Sequence, residues 1–383
     1  MKPAGIKYGL LLVTIMALLL HTGTVRAQSL GFKGQAIGWT TLNPAEPFQA
    51  QVGLRYIPEL SFSLPAGKYS IDGKFSANIW GSSMWQGDST TLDKELSPYR
   101  MWLRFSGDQF ELRAGLQKIN FGSAQMFRPL MWFDRIDPRD PLQLTDGVYG
   151  LLGRYYFLNN ANIWLWGLYG EDKIKGWELL PSLKNSIEYG GRVQLPLYTG
   201  EVALTYHHRT ADPTAVLPDS ITQGMQAPEN RIALDAKMDL VVGLWTEISL
   251  IHQDLSFTEQ QYKTMLNVGM DYTFNLGNGI NMMGEGFAYL QGEQPFANEE
   301  GVVFGLLSAS YPVSIIHNVS AMVFYDFTNN GFYRFINWTV AYDKWSFYVM
   351  GFWNPETYSL YNVDPRTSLY GGWGFQLMAV FNH

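Results

Sequence analysis

Residues 262–290 read YKTMLNVGMDYTFNLGNGINMMGEGFAYL. Counting in twos, Tyr262, Thr264, Leu266, Val268, Met270, Tyr272, Phe274 and Leu276 interleave with Lys263, Met265, Asn267, Gly269, Asp271, Thr273 and Asn275. This period of two predicts a single strand across the whole tract. A turn at Gly277-Asn278-Gly279 and a second long strand follow. Strands of globular proteins usually run to about 5–6 residues. A strand this long needs an apolar medium wide enough to receive one entire face and a wet environment for the other.

Eighteen candidate strands of this kind can be read along the chain, from 30–41 to 367–381. The connections after even-numbered strands are tight, as at Pro65-Ala66, Gly107-Asp108, Asn159-Asn160 and Asp343-Lys344. Those after odd-numbered strands are mostly long: 81–97, 119–146, 172–184, 211–229 and 355–366. An antiparallel sheet threaded through a bilayer has its odd and even turns on opposite sides. Bacterial outer-membrane barrels have short periplasmic turns, longer outer loops and an even strand count, whereas a soluble sandwich gives loop length no reason to follow parity. The expected fold is an all-β transmembrane antiparallel up-and-down barrel of about 18 strands (16–18), with both termini periplasmic. Closure removes every strand edge, as lipid requires. Leu266, Val268 and Met270 would then face acyl chains, and Asn267, Asp271 and Asn275 a wet lumen.

Composition agrees. Charged residues make up 16% of the chain and aromatic residues 15%. The tract 1–27, with Lys2, Lys7, an apolar run and Val25-Arg26-Ala27, reads as a cleaved signal peptide too short to span a bilayer. Residues 28–383 are expected to form one domain in the bacterial outer membrane. Cysteine is absent, so thiolate metal sites and disulfides are excluded. A net charge of −7 carries no nucleic-acid signature. The expected partners are outer-membrane lipid, small-molecule solutes and the barrel-assembly machinery, with no cofactor and no metal. The aromatic-ended alternation of Trp373, Phe375, Leu377, Ala379 and Phe381 suits an assembly signal, although Asn382-His383 follow it.

A barrel this wide leaves an aqueous channel unless it is plugged. The alternation puts Arg55, Asp72, Lys74, Arg100, Arg104, Glu111, Arg113 and Arg154 on the inner face of strands two to six, six positive against two negative. Strands eight to thirteen place seven carboxylates inside against four cations, among them Glu188, Asp235, Glu247 and Glu285. A positive wall thus opposes an acidic one, which biases solute entry. The longest connection, 119–146, carries Arg128, Asp134, Arg135, Asp137, Arg139 and Asp140 beside the apolar run Met126-Phe127 and Leu130–Phe133. That run is unsuited to hanging in water. The segment is therefore expected to fold into the barrel and narrow the pore beside Arg100, Arg104, Glu111, Arg113 and Arg154.

LRAGLQKINFG (112–122) followed by DRIDPRDP (134–141) resembles the strand-and-loop signature of alginate-export-type and related porin-like outer-membrane barrels. Arg113, Gly115, Gln117, Gly122, Asp137, Pro138 and Asp140 match it, while Leu116 and Phe121 depart; the likeness covers about residues 50–157. It implies an eighteen-stranded channel with a basic, loop-narrowed pore.

The function expected is that of a porin-like channel for passive diffusion of small polar or charged solutes. A transporter of hydrophobic or polysaccharide compounds is the runner-up, although the inner faces read as polar rather than greasy. Asn43-Pro44-Ala45 is similar to a short motif of fatty-acid-transporter hatches, but no long plug precedes it. A lipid-acting enzyme would need a Ser–His pair, and His207-His208 with Ser249 or Ser186 is the only cluster to consider. Isolated histidines in a polar lumen account for it better, so no catalytic activity is expected.

Overall fold

The computed structural model describes residues 29–136, 140–170, 173–216, 225–255, 258–356 and 369–383. The leader read over 1–27 lies outside them, as do Asp137 and Arg139. Eighteen strands follow in chain order: β1 Ser29–Asn43, β2 Gln49–Ala66, β3 Tyr69–Gln86, β4 Ser89–Ser106, β5 Phe110–Gln117, β6 Val148–Tyr156, β7 Asn162–Tyr169, β8 Ile187–Leu197 and β9 Gly200–Ala211. The second half comprises β10 Ala227–Asp239, β11 Gly243–Gln253, β12 Tyr262–Phe274, β13 Ile280–Gly292, β14 Glu300–Pro312, β15 His317–Asp326, β16 Gly331–Ala341, β17 Trp345–Trp353 and β18 Trp373–Asn382. Each strand pairs antiparallel with the next, and β1 pairs with β18 from Gln35↔Asn382 to Leu42↔Phe375. The fold is a closed 18-stranded antiparallel barrel. His383 extends the seam, exchanging two backbone hydrogen bonds of 3.0 Å with Gly34.

The outer surface is apolar, as the alternation requires. Val268, Met270, Leu307, Ile336, Val349 and Leu377 are exposed there. Aromatic residues collect at the short-turn rim, with Tyr155, Tyr156, Phe157, Tyr198, Tyr342 and Trp345 exposed, which is where interfacial girdles sit.

Two expectations change. Residues 81–97 are not a long connection: β3 runs on to Gln86, β4 begins at Ser89, and the register continues from Ser76↔Arg100 past a bulge to Gln86↔Ser89. Both faces of the hairpin tip are exposed, so no apolar period marks it in the sequence. The inner wall is also not uniformly polar or wet. Met283, Phe287, Phe304, Leu306, Phe324, Tyr333, Phe335 and Phe352, on β13–β17, form one buried apolar cluster with Phe127. Asn267 is buried rather than wet and donates to Glu285.

Candidate functional site

Segment 118–147 leaves β5 and reaches the inner faces of β11 and β13. Gly122 makes the departure possible. Its φ is +95°, and a Cβ there would lie 2.3 Å from Oε1 of Glu247, so a side chain would be strained and would clash with the anchor. Beyond it, two glutamates take up backbone donors that would otherwise be stranded. Glu247 accepts from the N–H groups of Ala124 at 2.7 Å and Leu130 at 3.2 Å. Glu285 accepts from Gln125 at 2.7 Å, Met126 at 3.2 Å and Phe127 at 2.8 Å, and from Trp245 Nε1 at 3.1 Å. Charge-assisted bonds of this kind are about twice as strong as neutral ones.

Side chains complete the grip. Phe127 stacks on Phe287 at 5.2 Å and on Phe304 at 5.8 Å, and meets Phe324 edge-on. Phe121, Leu130, Trp132 and Phe133 bury themselves with Leu152, Leu168, Trp166 and Ala233 on the inner faces of β6, β7 and β10. Trp132 Nε1 donates to Ser249 at 3.3 Å. A second segment, 170–186, locks onto the first through Trp177 Nε1, which donates to the carbonyl of Arg128 at 2.7 Å. It is itself held by buried ion pairs: Lys175 with Glu188 at 2.8 Å and Glu178 with Arg231 at 2.7 Å. Arg209 and Glu229 pair in two-pronged fashion beneath them, at 2.6 and 2.8 Å. The acidic wall read from the sequence is thus engaged: Glu188, Asp235, Glu247 and Glu285 are buried and bonded.

The arginine wall differs. Glu111 is shared by Arg154 at 2.9 Å, Arg113 at 3.5 Å and Arg104 at 3.6 Å, while Arg104 also pairs with Asp72 at 3.0 Å. Arg104 keeps a third of its side chain exposed (33%), Arg113 16% and Arg154 15%. Tryptophans hold these guanidinium groups flat: Arg113 lies 4.7 Å above Trp102, and Arg154 3.7 Å above Trp164. Arg100 stands apart from them. It is buried and donates to the Thr145 carbonyl at 2.9 Å and hydroxyl at 2.7 Å, tying the returning end of segment 118–147 to β4.

The remaining candidates scatter along the segment. Arg128 is buried and donates to Oδ1 of Asn120. Arg135 is exposed. Asp140 accepts from the N–H of Leu142 at 2.9 Å. Asp134 is only 2% exposed, and among the described residues neither of its carboxylate oxygens has a hydrogen-bond partner. Burial pushes its carboxyl up to about 7, against the pull of Lys118, Arg128 and Arg100. The anchors Glu247 and Glu285 escape sequence reasoning as anything but lumenal charges. Their signal is a lone acid among inward apolar residues: Trp245 two positions before Glu247, and Met283 and Phe287 flanking Glu285.

His207 lies on the inner face and His208 on the outer. His207 is buried, takes the Trp166 Nε1 hydrogen at 3.2 Å and lies 3.2 Å from Glu188. Ser249 is engaged by Trp132, and Ser186 donates to the Leu183 carbonyl.

No family model and no curated protein sequence matches the chain. Solved structures match in fold. OpdQ of Pseudomonas aeruginosa has a TM-score of 0.54 at 8% identity, over 93% of this chain and 99% of that one. OccAB4 of Acinetobacter baumannii has a TM-score of 0.53 at 8% identity, over 94% of this chain and 100% of the other. A loop-deleted OmpT, an outer membrane protein of Vibrio cholerae, gives 0.50 at 9% identity, over 93% and 99%. Likeness at this level carries the fold alone. The expectation that the chain is not an enzyme is withdrawn: OmpT stands among the structures of this fold, and a shared barrel conveys no argument against catalysis.

Proposed function

We propose that the chain is a porin-like outer-membrane channel for passive diffusion of small polar or charged solutes. Its water path runs along the arginine-bearing inner wall of β2–β6 and is narrowed by segment 118–147. The observation that carries this is the asymmetry of the lumen. Anchored segments cover inner-face residues from β7 to β13 such as Trp166, Ala233, Glu247 and Phe287, while Arg55, Lys74, Arg104, Arg113 and Arg154 on the other wall remain partly exposed. Within the shared network Arg104, Arg113 and Arg154 outnumber Asp72 and Glu111, which supports a preference for anions. The short-turn rim, where β1 begins and β18 ends, is the periplasmic side in this reading.

The alginate-export-type resemblance is the finer form of the same reading. With Glu188, Asp235, Glu247 and Glu285 engaged, the acidic wall is less able to repel an anionic solute. Of its matched positions, however, Gly115 and Gly122 have positive φ and close backbone or anchor contacts, so this backbone requires them whatever the solute. Transport of hydrophobic compounds has one observation in its favour, the apolar inner face of β13–β17. Phe127, Trp177 and Tyr370 cover that face, so such a path needs segment 118–147 to move.

Conductance of the purified protein in a planar bilayer tests the proposal, with ion preference read from reversal potentials in a salt gradient. Stable steps with an anion-ward reversal potential, enlarged severalfold by deleting 124–140, are expected. A silent bilayer from folded protein overturns the channel, and unchanged steps after the deletion overturn the constriction.

A further inference from the structure

The wall of this barrel is notched beside β4. That strand and its partner β3 are 18 residues long, whereas β5, β6 and β7 have 8, 9 and 8. β4 pairs with β5 only from Met101↔Leu116 to Ser106↔Glu111. β5 stops there because the chain turns inward at Lys118 to become the anchored segment. Above Arg100, β4 therefore has β3 on one side and, among the described residues, no strand on the other. Residues Ser89–Leu96 are all exposed.

This part of β4 stands clear of lipid. At about 3.3 Å per residue and a tilt of about 40°, β4 rises roughly 45 Å along the axis, against an apolar band of about 25 Å. Its residues agree with water: Thr90, Thr91, Asp93, Lys94 and Glu95 follow one another with only Leu92 between them. A free edge of this length is a row of unpaired N–H and C=O groups, a ready template for a further strand.

The two faces specify what such a strand must carry. Glu95 pairs across from Trp80, whose Nε1 donates to it at 3.2 Å, and Arg55 lies over that same ring, which puts Glu95 and Asp93 on the side of the barrel axis. Leu96 pairs across from Ile79, so Leu96 and Leu92 are on the outer side, each 73% exposed, with Lys94 between them. We propose that the free edge of β4, Ser89–Ser97, docks an extended segment of a partner protein as an added antiparallel strand, its basic residues facing Asp93 and Glu95 and its apolar residues facing Leu92 and Leu96. Pro98, which has no N–H, ends the edge. Main-chain pairing supplies the binding, and side chains on alternate faces supply the selection. The charges that keep the edge from pairing at random are the ones that choose the partner. A second copy of the chain does not fit: turned about the membrane normal, it offers its own β4 parallel and with faces exchanged, setting Leu92 and Leu96 among Asp93 and Glu95. The proposal is independent of the channel reading.

The test uses the full chain in nanodiscs and three ten-residue peptides. One alternates Lys and Val, one alternates Glu and Val, and one is the Lys/Val peptide N-methylated at every second residue, so that one edge cannot pair. Backbone amide exchange over 89–97 and titration calorimetry are read together. The Lys/Val peptide is expected to slow exchange there at least tenfold. Binding should fall at least tenfold with the N-methylated peptide, with the Glu/Val peptide, and on Asp93→Lys with Glu95→Lys. That double variant lies on an exposed tip, and its circular dichroism should match the parent's. Absence of protection at 89–97 overturns the proposal. So does equal binding of the N-methylated peptide, which reduces the effect to charge attraction, or indifference to the double substitution.

Discussion

The two halves of the lumen are built from the same alternating strands yet treat their charges in opposite ways. On β8–β13 Glu188, Asp235, Glu247 and Glu285 are buried and each has a bonded partner, because two chain segments have been drawn in over that wall. On β4–β6 Arg104, Arg113 and Arg154 share too few acids and stay partly open. Inward charge in a wide barrel is therefore ambiguous: it can solvate a pore or fasten what fills it. Burial decides between the two, since an unpaired buried charge is costly and a half-exposed one is not.

The comparison is broken most severely at Glu285. Glu285→Ala leaves the N–H groups of Gln125, Met126 and Phe127 and the Trp245 indole without their acceptor, at about 1–3 kcal/mol for each one that stays buried. A severalfold larger and noisier conductance step is expected, with a lower urea midpoint. Retention of parental steps would mean that the packed half does not need its anchor. Phe127→Ala comes next. Truncating a ring stacked on Phe287 and Phe304 should cost about 3–5 kcal/mol of the segment's docking, seen as faster amide exchange at 124–130 with β13–β17 unchanged.

Asp134 sharpens the comparison, being a buried carboxyl on the filled side that has no hydrogen-bond partner among the described residues. Its folded carboxyl titrates near 7 against an ordinary 3.8. Between those values the folded protein binds a proton the unfolded chain does not, so stability falls as pH rises through the window. Asp134→Asn should raise the unfolding free energy read from urea titrations at pH 8 by about 1–3 kcal/mol, and leave it unchanged at pH 4. A gain of equal size at both pH values would show that charge is not the cause. The smallest effect belongs to the open wall. Arg113→Gln is expected to shift the reversal potential toward cations by a few millivolts to tens of millivolts in dilute salt, fading as screening grows. Stability should scarcely change, because Arg104 and Arg154 still hold Glu111.

Strand number and direction and the lipid-facing residues were legible because lipid leaves only one pattern open to a strand. The tip of the β3–β4 hairpin was not: with water on both faces, Ser89–Leu96 lacks the alternation that announces a strand. The inner wall misled in a different way. Met265, Met283, Phe287 and Phe304 share the inward face with Lys263, Asn267, Asp271 and Glu285, and polar letters drew the eye. What separates the wet from the packed positions is a segment more than 100 residues distant in sequence, and no local window contains it. Arg104, Glu111, Arg113 and Arg154 could be found by parity alone. Glu247 and Glu285 could be placed on the inner face, but their role depends on a path across the barrel that no spacing encodes.

The grip of Glu247 and Glu285 on segment 118–147 falls on main-chain N–H groups, which every amino acid but proline supplies. Where the side chain is not itself buried, at 123, 125 and 126, the gripped tract can thus be respelled over generations while its course across the barrel persists. Drift in those three letters gives lineages a way to retune the width and charge of the opening without redesigning the frame that suspends it. Proline at 125 or 126 is the spelling such drift must avoid.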